Sequence, residues 1–230
     1  MRVRRILDEI NAAIADLDQI GQGLNGVLRI ATSMFALHGA LPKDLASLKN
    51  RFPGVELVFD TWPSLDIISA TQRGEIDIGV FAASAPPEGL ITRTYCSENV
   101  VLMIPKGHRL SGRESVDIQD LSEEDLLQLP SGTYIQQIME EQGRRHGVRL
   151  HKSYRVGSLD AAVAITRAGH GLAIVPRSSW ESLGPFQGLT ITPLNPEWSR
   201  TKLLVGIKAS QPTSSLAHRV FVELATQSDA

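Results

Sequence analysis

The stretch GVLRIATSMFALHGALPKDLASLKNRFPGVELVF (Gly26–Phe59) sets the fold class. Gly26–Thr32 is a short apolar run, the pattern of a buried strand. Leu41, Leu45, Leu48 and Phe52 then recur at the helical period over Leu41–Phe52, and Pro53-Gly54 stops that helix. Val55, Leu57 and Phe59 alternate as a second strand. Strand, helix and strand in that order make a βαβ unit, which builds a parallel sheet with helices on its faces.

The same rhythm continues outward. Ser64 is placed to cap a helix over Leu65–Arg73, which Gly74 closes. Ile76–Phe81 reads as the third strand, Pro86–Gly89 as a turn, and Leu90–Tyr95 and Val100–Ile104 as two extended segments. The pattern then restarts. Leu126–Leu129 is a short strand, Pro130–Thr133 a turn, Tyr134–His146 a helix and Tyr154–Val156 a strand. Ser158 caps a helix over Leu159–Ala168, closed by Gly169 and Gly171, and Leu172–Val175 is a strand ended by Pro176. Thr201–Ile207 is a last apolar strand and Ser215–Gln227 a last helix. No Pro-, Gly- or Ser-rich linker divides the halves. Two α/β lobes are therefore expected, one from residues 25–98 with 201–230, the other from 99–200. The chain should cross between them near Glu98–Val101 and Ser199–Thr201.

Ahead of the first strand lies a different period. With Val3 as heptad position a, the a and d positions are Val3, Ile6, Ile10, Ala13, Leu17 and Ile20, all apolar, and Leu7 and Ile14 widen the stripe. Such a seam predicts a helix that packs on another helix, and Gly21 and Gly23 end it. Residues 1–24 are read as a dimerising linker helix.

Composition removes several classes. The chain has 230 residues, 42% hydrophobic and 21% charged, with net charge −2, which excludes a mainly disordered protein. It offers no run of about 18 apolar residues for a membrane helix. Cys96 is the only cysteine, so no disulfide framework exists, and a lone thiol suits the cytoplasm. Asp8, Glu9, Asp16 and Asp18 interrupt any secretory signal. The near-neutral charge lacks the basic footprint of a nucleic-acid-binding domain. Catalytic patterns are missing as well. The six histidines are scattered, with no HExxH or CxxC spacing for a metal, and no GxSxG, GxxxxGK[ST] or GxGxxG occurs. Asp77, inside an apolar strand, reads as structural, as does Cys96 near a strand end. No catalytic residue, metal or cofactor is expected.

A ligand remains possible, because open α/β sheets bind ligands beyond the carboxyl ends of their strands. Those ends carry Thr32, Ser33, Met34 and Phe35; then Trp62, Pro63 and Ser64; then Phe81. In the second half they carry Ser131, Gly132, Thr133 and Tyr134, then Gly157 and Ser158. Small hydroxyls at helix starts suit an anionic or polar group, and Trp62 and Phe81 would serve as apolar walls.

GVLRIATS (Gly26–Ser33), LPKDLASLKNRFPGVEL (Leu41–Leu57), RGEIDIGV (Arg73–Val80), VLMIPKGHRL (Val101–Leu110) and VGSLDAAVAITRAGHGLAIVP (Val156–Pro176) together resemble the regulatory part of a LysR-type transcriptional regulator. The resemblance implies the bilobed fold of periplasmic solute-binding proteins, type 2, with a small-molecule effector in the cleft, often an organic acid or amide. Thr32, Ser33 and the loop Ser131–Tyr134 would hold the effector, with Trp62, Ser64, Phe81 and Ser158 lining the cleft. The bulk of Met34, Phe35 and Trp62 leans toward an effector with an aromatic or aliphatic body. Residues 1–20 look like the family's linker helix, which implies a homodimer or homotetramer. The family's winged helix-turn-helix, its DNA-binding part, should precede that helix and is missing from this chain, which is expected to be a piece of a longer regulator. The competing expectation is a transport solute-binding protein, which shares the fold; it needs export and has no use for a heptad seam. An enzyme on this fold would need acid, base or arginine clusters at the strand ends, where only hydroxyls and aromatics stand.

Overall fold

A computed structural model of the protein describes residues 26–128 and 133–226; the heptad seam from Val3 to Ile20, together with Ser131 and Gly132, lies outside the described residues. Strands β1 (Gly26–Thr32), β2 (Val55–Thr61) and β3 (Ile78–Ala82) are parallel, with β1 between the other two. Helix α1 (Met34–Leu37) follows β1 and leads into α2 (Leu41–Arg51); α3 (Ser64–Arg73) links β2 to β3. The sheet becomes mixed beyond β3. Its neighbour is the late strand β9 (Arg200–Lys208), antiparallel, and β9 pairs in turn with β4 (Leu90–Pro105).

Alternation along the strands sends side chains to two helical layers. Leu28, Ile30, Ile78, Val80 and Ala82 join the main core with Leu41 and Leu48 of α2. Ala31 and Phe81 face the other way, into a smaller cluster with Ile67 and Ala70 of α3. Gly79 sits on that same face, where a Cβ would stand 2.7 Å from Ile67 Cγ2 and 2.8 Å from Thr71 Oγ1, so α3 can approach only a glycine here. Gly74, at φ 75°, closes α3 in the left-handed conformation that glycine adopts without strain. Helix α8 (Leu216–Thr226) buries Ala217, Val220, Phe221 and Leu224 in the main core and packs on β9 and β4.

The segment read as two extended pieces is one strand of 16 residues. Through Leu90–Asn99 it pairs with β9; through Val100–Pro105 it lies between β7 (Ala173–Pro176) and β8 (Leu189–Pro193). The intervening polar residues follow because Cys96–Asn99 pair with Leu203–Arg200, past a bulge at Thr94/Cys96. Asn99 and Arg200 are the last cross-strand partners, so both strands pass between halves of the molecule side by side. Glu98, Ser199 and Thr201, all buried, surround that crossing.

The second half is built on β5 (Asp125–Gln128) and β6 (His151–Arg155), a parallel pair, with α4 (Tyr134–His146) and α5 (Leu159–Arg167). Helix α6 (Arg177–Leu183) follows β7, and α7 (Pro196–Ser199) precedes β9. Neither short helix was evident in the sequence, since α6 starts directly after Pro176, which ends β7, and α7 is a single turn that begins at Pro196 behind its Asn195 cap. Among the described residues no helix is long and apolar enough to cross a membrane.

Two polar pairs tie elements together. Asp44 of α2 accepts a hydrogen bond from the Tyr95 hydroxyl of β4, deep in the main core, and burial together with that carboxylate pushes the phenol pKa far up. Asp77, just before β3, accepts from Arg29 N at 2.7 Å and donates its own N–H to Arg29 O at 3.0 Å. Burial raises its carboxyl above the usual range while the Arg29 amide draws it back. This is the structural role its place in the sequence suggests.

Candidate functional site

Three hydrogen bonds beyond the carboxyl ends of β1, β2 and β3 form a platform. Ser33 N donates to Val80 O at 2.8 Å, Trp62 N to Thr32 O at 3.0 Å, and Ala82 N to Ser64 Oγ at 3.2 Å. The last bond corrects the expectation for Ser64. It is the first residue of α3 rather than its cap, the N-cap being Pro63, and its hydroxyl is held by β3.

Facing the platform is the start of α4. A cavity of about 120 Å³ lies between the two. The platform contributes Ser33, Met34 and Phe35 after β1, and Thr61 through Ser64 after β2. The opposite wall is Thr133, Tyr134 and Ile135 of the α4 start, with Gly157 after β6 and Pro176 at the end of β7. Ser33 is 4% exposed, and its hydroxyl is buried without a hydrogen-bond partner among the described residues. A buried hydroxyl in that state costs free energy unless a ligand or water meets it.

The halves also touch directly. Phe35 and Tyr134 meet edge to face, ring centroids 6.4 Å apart. His38 Nδ1 lies 2.7 Å from Ser179 Oγ on α6, and Ser179 is fully buried. Burial holds the His38 imidazole below its ordinary value, with the Asp160 carboxylate pulling the other way.

Of the residues singled out from the sequence, Ser33, Met34, Trp62, Ser64, Thr133 and Tyr134 line this one cavity. Thr32 does not: it is fully buried behind the platform, and its Oγ1 donates to Ser33 O at 3.2 Å. Phe81 does not, because the two-residue period of β3 turns it onto the α3 face, where its ring lies over Gly79 and Gly206. Ser158 does not line it either; it is exposed and caps α5, its Oγ accepting from Ala161 N at 3.2 Å. Pro176 and Ile135 were not singled out, although Pro176 ends an apolar strand and so had the strand-end signal. His38 and Ser179 carry no local signal, since they meet across 141 positions of sequence.

Chemically the site offers hydroxyls, backbone amides and aromatic surface. Among the described residues no group of three or more His, Cys, Asp or Glu could hold a metal. Cys96 lies away from the cavity, half-buried, its thiol pushed up to about 11 by burial and by the Glu98 and Asp44 carboxylates.

Known proteins agree with this architecture. The family model for the LysR substrate binding domain matches residues 21–230. The HTH-type transcriptional regulator TtuA of Agrobacterium vitis is 32% identical over 186 residues, 73% of this chain and 56% of TtuA. YfeR of Shigella flexneri, an uncharacterized HTH-type transcriptional regulator, is 23% identical over 176 residues, 76% of this chain and 57% of YfeR. The chain thus spans a little over half the length of these relatives. The regulatory domain of Synechocystis PCC6803 CcmR, in complex with 2-PG, superposes with a TM-score of 0.78 at 21% identity, covering 89% of this chain and 98% of that one. The matching family is that of regulator domains rather than transport solute-binding proteins. A match over nearly the whole chain, on a bilobed α/β fold with a cavity between its halves, places the protein in the LysR substrate-binding domain family, the effector-sensing part of LysR-type regulators.

Proposed function

We propose that the cavity between the lobes is the effector site of this domain, and that the lobes are residues 25–98 with 201–230 and residues 99–200. Ser33 and Thr133 supply polar contacts, Met34, Trp62 and Tyr134 supply apolar ones, and Ser64 holds the platform. The Ser33 hydroxyl carries this reading, because it is buried at the cavity with no hydrogen-bond partner among the described residues. Ser131 and Gly132 continue the α4 start in sequence and are proposed contacts on that ground. Effector binding would bias the lobes toward closure about Asn99–Val100 and Ser199–Arg200, a motion that a regulator can pass to a second subunit.

The whole regulator is proposed to act in the cytoplasm as a homodimer or homotetramer. Its seam is Val3, Ile6, Ile10, Ala13, Leu17 and Ile20, and it would reach DNA through a winged helix-turn-helix preceding that seam. It needs no catalytic residue and no cofactor for this role. Thermal-shift screening against a metabolite library tests the proposal, since a ligand that binds only the folded state raises Tm by mass action. Ser33→Ala should weaken a hit by several-fold, on the order of 0.5–1.5 kcal/mol, with little change in apo stability. A hit whose affinity is untouched by both Ser33→Ala and Trp62→Ala contradicts the site.

A further inference from the structure

The charge around the cleft narrows the chemistry of what it can hold. Twelve of the described residues line the cavity, and none of these has a cationic or carboxylate side chain. Residues 129–132, Leu-Pro-Ser-Gly in sequence, carry no charged side chain. Two of the helix starts near the cleft are already answered: α3 carries Asp66 and α5 carries Asp160 in the first turn. Arg177 follows Pro176 in sequence, yet it does not line the cavity and its guanidinium reaches Glu181 at 3.8 Å. His38 is engaged with Ser179, and burial favours its neutral form.

Among the uncharged polar groups of the lining, two features stand out. Helix α4, thirteen residues long, starts at the cavity with no acidic residue in its first turn. On the facing wall stands the unpartnered hydroxyl of Ser33. The rest of the lining is dominated by Met34, Phe35, Trp62, Tyr134, Ile135 and Pro176. One negative charge can be met by a helix start and a hydroxyl; a second, buried among these side chains without a counter-charge, cannot.

Building on the effector site proposed above, we infer that the cleft selects a small ligand with an apolar body and one polar head, uncharged or singly negative, and discriminates against doubly charged phosphates and dicarboxylates. Size agrees with a single ring: the cavity, about 120 Å³, is of the order of the roughly 150 Å³ space that accepts benzene.

The test is a matched series on one ring, benzamide, benzoate and phenyl phosphate, titrated calorimetrically into the protein above pH 7, where the phosphate monoester is mostly dianionic. The same titrations are run on Ser33→Ala and Trp62→Ala. Benzamide or benzoate should bind, weakened several-fold by either substitution, with phenyl phosphate at least about tenfold weaker. Phenyl phosphate binding as well as benzoate, and losing affinity in Ser33→Ala, overturns the charge limit but keeps the site. Binding unaffected by both substitutions overturns the site itself. Failure of both benzamide and benzoate to bind at millimolar concentration overturns the ligand class. Ser33→Ala removes a hydroxyl without a partner, so the fold of that variant is secure.

Discussion

The two walls of the cleft are built differently. On the first, strand ends of a parallel sheet are tied to one another at Ser33–Val80, Trp62–Thr32 and Ala82–Ser64, with α3 pressed onto Gly79. On the second, a helix start sits beside Gly157, and the two-stranded β5–β6 pair behind it leaves every residue of β6 exposed. The first wall is fixed by backbone hydrogen bonds and close packing. Among the described residues the second shows fewer such ties at the cavity, and regions with little buried contact open at least cost. A sensor needs both, a platform that orients the ligand and a jaw that reports its arrival.

The largest expected effect comes from adding one methyl group on each side. Gly79→Ala forces a Cβ into Ile67 and Thr71 and should cost about 1–3 kcal/mol, read as a clear fall in Tm. Gly157 has open space around its missing Cβ, so Gly157→Ala should leave apo Tm nearly unchanged. Equal losses at the two sites would erase the contrast between the walls.

A comparable effect is expected at the buried tie between α2 and β4. Tyr95→Phe leaves the Asp44 carboxylate without its phenolic donor and should destabilise by about 1–3 kcal/mol in denaturant unfolding. An unchanged midpoint would mean that Asp44 finds water or another donor.

Contact between the walls should respond to pH. Burial lowers the folded-state pKa of His38 below its ordinary 6.5, so the unfolded chain takes up the proton first. The contribution of neutral His38 is therefore complete above pH 6.5 and is lost as pH falls through 6.5 toward the folded value. Wild type should lose more stability over that acid window than His38→Gln; parallel pH profiles would remove His38 from the contact between the lobes. The smallest expected signal is at Cys96. With its thiol pKa near 11, alkylation should be slow at neutral pH and accelerate with pH far above it. Rapid labelling at pH 7 would contradict this environment.

Much of the platform was legible in the sequence because its signals are local. The apolar run before Thr32 and the leucine spacing of α2 each lie within one element. What was hidden depended on partners distant in the chain. Cys96–Asn99 look like a polar break until β9 is there to pair with them. Ser64 looks like a cap until the end of β3 claims its hydroxyl. Phe81 follows a strand as a cleft residue would, yet strand parity decides its face, and parity depends on where β3 begins. His38 meets Ser179 only after both lobes are folded.

The most direct test of a ligand held between these walls uses the three tryptophan indole N–H resonances. Trp62 lines the cavity, Trp180 packs on Phe186, and Trp198 donates to Asp117 at 3.3 Å. During titration with benzoate or benzamide, the Trp62 indole should move most and saturate with the calorimetric affinity. A Trp62 resonance that stays fixed while ligand binds would contradict the assignment of the cleft.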